Sequence, residues 1–344
     1  MMKLNFGVKD NGTVVLGSKV VCDGLIEENM ETLVMSHAHR DHLEHSYIAN
    51  AYTLDKTVLM TEETRKLATT YGNTNLETNF HLNVMETNNP LDFKDYSVEL
   101  FEAKHILGSV QVLVDYKKEG KFVYSGDFGR EVTNVPKADF LVIDSTYSEL
   151  FNKNAWNQEN AFNELRKEIN LAIQESPVFI VGDPGVLELA LHELAYWDKI
   201  PKVISRDKEK EWAKIYKSKN YNLPEVLSEE SDEDEARSLK FENFIQIAHN
   251  RKNIGDNPGG KLFVLKNFGI DRHDPINKIS NNQFLVGISS HAYGESLFRY
   301  IEKINPSVVV TDSYRGKNNA KTLAKSIEKE IGIKSYPSIE VDIA

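Results

Sequence analysis

Cysteine is nearly absent: Cys22 is the only one in 344 residues. No internal disulfide can form, and Cys-rich zinc motifs are excluded. No stretch approaches the ~20 apolar residues that span a bilayer. The N-terminus, Met1-Met2-Lys3-Leu4-Asn5-Phe6, lacks the apolar run of a signal peptide. Nor is there an excess of positive charge. The net charge of −11 excludes a molecule dominated by a strongly basic face. It leaves nucleic-acid binding open, because affinity depends on local phosphate contacts. No internal repeat is present. These absences predict a soluble protein with no membrane partner, cytoplasmic or, in a eukaryote, nuclear.

At roughly 100–200 residues per domain, the length predicts two domains, or one large domain with an insertion. The first third reads as β-rich. Asp10-Asn11-Gly12 is a hairpin turn signal between apolar runs. Thr32-Leu33-Val34-Met35 reads as a buried strand, and Glu62 to Ala68 as a short helix. Further strands are expected at Tyr96–Phe101, Val110–Val114, Phe122–Tyr124 and Phe140–Ile143. From about Trp156 the texture changes. Phe162, Leu165, Ile169 and Ala172 follow helical spacing until Ser176-Pro177 stops the helix. Strands and helices then alternate to about Ser205 and Lys217, which predicts a parallel sheet. The acidic run from Ser228 to Glu235 reads as a solvated loop or helix end. Asn253–Gly260 is a loop, and strands follow at Lys261–Leu265, Gln283–Ile288 and Ser307–Asp312.

Chemistry concentrates in Ser36-His37-Ala38-His39-Arg40-Asp41-His42. Neutral imidazole and carboxylate both suit zinc. In extended backbone, residues two apart face the same way, so His37 and His39 can reach one metal together. Asp41 and His42 follow where the strand must turn, and can serve a second. The alternative is a His-rich surface loop, but four ligand types placed directly after an apolar strand argue against it. Partners are available in two segments at expected strand ends. One is Ala103-Lys104-His105-Ile106-Leu107-Gly108-Ser109, the other Ser125-Gly126-Asp127-Phe128-Gly129. Taken alone, each would read as structural.

These motifs together resemble the metallo-β-lactamase superfamily: His37-X-His39-X-Asp41-His42, then His105, then Asp127 in Ser-Gly-Asp. The resemblance implies two divalent metal ions, zinc first, with manganese or iron as alternatives. His37, His39 and His105 would hold the first, Asp41 and His42 the second, and Asp127 would bridge them. The implied fold is α/β, a four-layer αββα sandwich. Ile143-Asp144-Ser145-Thr146-Tyr147 and Ser289-Ser290-His291-Ala292 resemble motifs of the β-CASP branch, the nucleic-acid-cleaving group. That branch carries an α/β cap between these motifs. The implied division is 1–155 and 282–344 for the metallo-β-lactamase domain and 156–281 for the cap.

Two departures matter. The last strand, Val308-Val309-Val310-Thr311-Asp312-Ser313, lacks the His that many members place at its end. Asp312 is a candidate extra ligand, with a capping role as its alternative. The missing His, and an Asp rather than Glu at Asp144, resemble the DNA-processing, Artemis-like subgroup. Gly182-Asp183-Pro184-Gly185 sits where a helix N-terminus could receive a terminal phosphate, but Asp183 would repel one. Lys202, Arg206, Lys208, Lys210, Lys214, Lys217, Arg315 and Lys317 are expected mostly as solvated charges.

The expected function is therefore a metal-dependent nuclease acting on DNA, in repair or end processing. The alternatives are an RNA-processing nuclease like the mRNA 3′-end cleavage factors, and then a small-molecule hydrolase. The expected catalytic groups are Asp41, Asp127, Asp144 and His291, with His291, oriented by Asp144, protonating the leaving alkoxide.

Overall fold

The computed structural model describes residues 5–70, 76, 82–147, 158–195, 202–255, 258–266 and 275–338. Trp156 and positions 256–257 of the expected loop lie outside these. The chain divides into two compact units, residues 1–153 with 291–344, and residues 154–290.

The first unit holds two sheets. The smaller is ordered β1 (Phe6–Val8), β2 (Val14–Leu16), β3 (Val20–Cys22), β4 (Thr32–Val34), β5 (Thr57–Met60), β6 (Leu82–Val84). β1 and β2 pair antiparallel around the expected Asp10-Asn11-Gly12 turn. The larger contains β7 (Leu91–Asp92), β8 (Tyr96–Glu102), β9 (Val110–Tyr116), β10 (Gly120–Tyr124), β11 (Phe140–Ile143), β19 (Val308–Thr311) and β20 (Lys334–Pro337), in the order β20-β19-β11-β10-β9-β8-β7.

Period-two alternation assigns the two faces of the larger sheet. Phe140, Val142, Val308 and Val310 join Phe6, Val14, Leu16, Val20, Val34 and Leu59 of the smaller sheet in one core. Leu141, Ile143 and Val309 point the other way, against Leu297, Tyr300, Ile301 and Ile304 of α7 (Glu295–Ile304) and Leu323 and Ile327 of α9 (Asn318–Glu330). Each sheet face thus buries a continuous apolar layer. At about 25 cal/mol per Å² of apolar area removed from water, burial is the dominant stabilising contribution. On the smaller sheet, α1 (His45–Thr53) lies against β5, and α2 (Glu62–Thr70) follows that strand.

Strand direction positions the chemistry. β10, β11 and β19 are mutually parallel, and β8 runs the same way because both it and β10 are antiparallel to β9. Their carboxyl ends therefore share one edge. His105, Asp127, Asp144 and Asp312 all follow those ends.

The second unit is a seven-stranded sheet flanked by helices. Its order is β14 (Glu225–Ser228), β13 (Lys202–Ser205), β15 (Ile245–Ala248), β12 (Val178–Gly182), β16 (Lys261–Leu265), β18 (Gln283–Val286), β17 (Ile276–Ser280). All pairs are parallel except β17 with β18. The sheet includes Gln283–Val286, beyond the expected limit at 281. α3 (Gln158–Glu175) buries Phe162, Leu165, Ile169 and Ala172, the spacing read from the sequence. α4 (Val186–Ala195), α5 (Asp207–Lys217) and α6 (Glu233–Leu239) complete the unit. The chain is a mixed α/β protein, and among the described residues no helix is long and apolar enough to cross a membrane.

Candidate metal centre

β4 ends at Val34, and the chain then leaves the sheet through Ser36 to His42 without regular structure. Ser36, His37 and His42 are fully buried. Such a segment needs internal hydrogen bonds, since buried backbone and imidazole groups are costly unpaired. Asp23, itself fully buried just after β3, supplies them. Its Oδ1 accepts the Ser36 amide at 2.7 Å, and its Oδ2 accepts the Ser36 hydroxyl at 2.6 Å and His42 Nδ1 at 2.8 Å. Ser36 Oγ, having donated to Asp23, is left to accept from His37 Nδ1 at 2.9 Å. Both rings are thereby held by Nδ1, which turns Nε2 toward the site. Sequence reasoning missed Asp23. Its only signal is a carboxylate directly after an apolar strand, which is a common turn pattern.

Four ligand-type side chains meet. His37, His39, His105 and Asp127 each place one donor atom within 4.8 Å of all the others. His39 Nδ1 lies 3.1 Å from His37 Nε2 and 3.0 Å from His105 Nε2. Asp127 Oδ2 lies 3.7 Å from both Nε2 atoms. Donors about 2.0–2.2 Å from a tetrahedral ion stand a little over 3 Å apart, so these spacings fit one small cation. His37 is held well below its ordinary pKa, by burial first and by the neighbouring His42 next. It is therefore neutral, the form that ligates.

Asp127 is at the centre. Burial works against its charge, but His42 and His291 outweigh this and hold its pKa well below the usual range. His42 Nε2 lies 3.3 Å from Asp127 Oδ2 and 3.7 Å from Asp41 Oδ2. That Nε2 is buried. Burial and Arg315 oppose protonation of His42, yet Asp127 and Asp41 raise its pKa to about 10. These carboxylates favour positive charge at this place. Asp41 itself is mostly exposed and stands outside the four-residue group.

A second group joins Asp127, Asp144 and His291. Asp144 Oδ1 accepts the Thr146 amide at 2.8 Å, and Oδ2 meets His291 Nδ1 at 2.8 Å. His291 Nε2 faces Asp127 Oδ2 at 3.8 Å. Burial lowers the pKa of His291, but Asp144 and Asp127 outweigh it and lift it to about 9. Tyr147 presents its ring edge-on to His291 at 5.1 Å.

The loops that carry these groups pack closely. Gly129 donates to Ala103 O, and a Cβ at Gly129 would lie 2.2 Å from Lys104 O. Only glycine lets the Asp127 loop pass the His105 loop at this distance.

Two expectations are corrected. Asp312 does not join either group of ligand atoms. Its Oδ1 caps the short helix α8 (Ser313–Gly316) by accepting from Tyr314 and Arg315, and its Oδ2 pairs with Arg315 at 2.8 Å. Its contacts are those of the capping alternative. Arg315 is not a solvated charge but nearly buried. It donates to the carbonyls of Gly12, Asp23 and Asp41, tying the segment after β19 to the Ser36–His42 loop. A carboxylate three residues before an arginine gives no sequence sign of such burial.

In the second unit, the start of α4 is already supplied with an anion. Glu188 Oε2 accepts the Gly185 amide at 2.6 Å. Lys202 and Lys214 are ion-paired, with Glu235 and Glu211, and Arg206 and Lys210 are paired with Glu230 and Asp232. These basic residues are therefore largely neutralised.

No protein-family model matches the sequence. A protein named "Probable RNase MJ4", from Methanocaldococcus jannaschii, is 27% identical over 213 residues, covering 52% of this chain and 50% of that protein. The chain thus spans about half the length of this curated relative. A crystal structure described as a protein of unknown function from Enterococcus faecalis V583 superposes with a TM-score of 0.63 at 13% identity, over 98% of this chain and 97% of that one. That likeness concerns the fold alone.

Proposed function

We propose that the chain is a metal-dependent phosphodiesterase cleaving RNA, a β-CASP member of the metallo-β-lactamase superfamily with residues 154–290 as its cap. The carrying observation is the convergence of His37, His39 and His105 on Asp127, beside the His291–Asp144 pair. The donor set suits zinc. In this reading His37, His39, His105 and Asp127 hold one ion, and Asp41, His42 and Asp127 a second. The buried His42 Nε2, 3.3 Å from Asp127 Oδ2 and 3.7 Å from Asp41 Oδ2, favours that second place. Bound there, the ions would lower the pKa of a water toward neutrality and offset phosphate charge.

The chain's own residues do the remainder. Asp23 and Ser36 orient the His42 and His37 rings. His291, held by Asp144 and lifted to about 9, carries a proton near neutral pH. It gives that proton from Nε2 to the departing oxygen. Such general acid catalysis contributes about 10²- to 10⁴-fold.

RNA is preferred over the DNA expected from the sequence. The DNA preference rests on two single-residue departures, whereas the ribonuclease likeness runs over 213 residues. End-labelled single- and double-stranded RNA and matched DNA, each with and without a 5′-phosphate, test the reading. RNA should be cut fastest, and chelation should stop it. Preferential DNA cleavage would reverse the polymer choice, and no cleavage of any substrate by metal-replete protein would overturn the nuclease reading.

A further inference from the structure

The segments that carry Asp127 and His291 run on together past the metal centre. Phe128 O accepts the Ala292 amide at 2.5 Å. Further along the two segments, Arg130 Nη1 donates to the Tyr293 hydroxyl at 2.7 Å, and its guanidinium lies 4.7 Å above that ring. Arg130 lines a pocket of about 160 Å³, to which α7 contributes Arg299 and Lys303 one turn apart. Three cations therefore gather within one small concavity, against a single lining carboxylate, Glu131. Among the described residues, none of the three cations is in an ion pair. The basic residues of α5 in the second unit are different, since Lys210 and Lys214 there face acidic partners.

The geometry points to a subsite for the sugar-phosphate backbone of nucleic acid, gripping a phosphate next to the one being cleaved. This rests on the nuclease reading and specifies how its substrate is held. The pocket is too small for a drug-sized ligand, whose sites run to about 300 Å³ or more, but it accommodates a phosphate. The guanidinium fork matches phosphate oxygens in pairs. Arg130 is braced by stacking on Tyr293, so less side-chain freedom is lost on binding. Three residues of backbone reach at most about 11 Å, which keeps Arg130 within a few nucleotides of Asp127. In a chain of net charge −11, a local cationic pocket at this place also draws the polyanion toward the centre.

The test compares the full-length protein with two triple variants. One is Arg130→Gln/Arg299→Gln/Lys303→Gln. The other removes equal charge at the opposite ends of the strands, Lys94→Gln/Lys117→Gln/Lys118→Gln. Binding of a fluorescent, non-cleavable 2′-O-methyl RNA is measured by anisotropy across salt concentrations. The pocket variant should bind about tenfold more weakly. Its slope of log K against log salt should shrink by about 0.7 for each phosphate that is no longer neutralised. It should also raise KM more than it lowers kcat. The distal variant should match wild type. The double variant Arg299→Gln/Lys303→Gln, confined to the exposed face of a helix that keeps its buried side intact, should show the same direction. Equal weakening in the pocket and distal variants, or an unchanged pocket variant, would overturn the subsite while leaving the nuclease reading intact. Wild-type protein that neither binds nor cleaves nucleic acid would overturn the nuclease reading itself.

Discussion

Both units bury histidine beside carboxylate, and the two clusters behave oppositely. In the second unit, His249 sits between Glu188 and Glu209, all three being nearly inaccessible. His249 Nε2 meets Glu188 Oε1 at 2.6 Å, Glu188 Oε2 accepts the Gly185 amide, and Glu209 Oε1 accepts the His249 amide. Those acceptors face donors of their own fold, so the cluster fastens α4 and α5 to the strand ends. In the first unit the donor atoms face one another instead. Three imidazole nitrogens and a carboxylate oxygen converge within 4.8 Å of one another. Composition does not separate the two clusters. The direction of the ring nitrogens does, and Asp23 with Ser36 fixes it at His37 and His42.

If the distinction holds, substitutions in the first cluster should remove metal and chemistry, and those in the second only stability. The largest effect is expected for Asp127→Ala, because that carboxylate touches both proposed ion positions. Metal content and RNA cleavage should fall together, the rate by about 10⁴-fold or more, as for residues that act as a unit. Elemental analysis showing two ions retained would break the bridging role. Next comes His291→Ala, expected to lower kcat by about 10²- to 10⁴-fold with metal content unchanged. Parallel loss of metal would make His291 a ligand instead.

The pH dependence follows from the same ring. Its pKa is raised to about 9, so the proton is present below that value and lost as pH rises through it. Cleavage should therefore decline on the alkaline side as the ring loses its proton. Asp144→Asn should move that limb down toward the ordinary 6.5. A limb that stays in place would separate His291 from the acid role.

Asp23→Asn is expected to weaken metal affinity by about 10- to 100-fold, the usual cost of disturbing a partner behind a ligand. Metal titration of the chelated protein reads this directly. The smallest effect on function is expected for His249→Ala. It leaves the buried Glu188 Oε1 without its imidazole partner and should cost about 1–3 kcal/mol of stability, seen in denaturant unfolding, with metal content unchanged. Metal loss there would erase the contrast between the clusters.

Much of this was legible in the sequence because the signals were local. Helical spacing placed α3, an apolar run placed β11, and ligand residues after apolar strands marked His37, His39, His105 and Asp127 as candidates. What escaped depends on distant partners. β14, β15 and β17 went unread because short strands with mixed polarity carry little periodicity. Asp23 and Arg315 look like a turn residue and a surface charge until the fold places Ser36, His42 and three carbonyls around them. Asp312 satisfied the chemistry of a ligand, but its helix cap is a matter of geometry. Arg130 was legible as a charge, and its place beside Tyr293 only from the structure.

The most direct test of the whole account is metal reconstitution. The protein is stripped with a chelator, titrated with zinc, and assayed for cleavage of end-labelled RNA at each increment. The account predicts no cleavage in the stripped protein, recovery that tracks occupancy up to two equivalents, and no recovery in Asp127→Ala. Cleavage that survives complete metal removal, or fully loaded protein that leaves RNA intact, would contradict it.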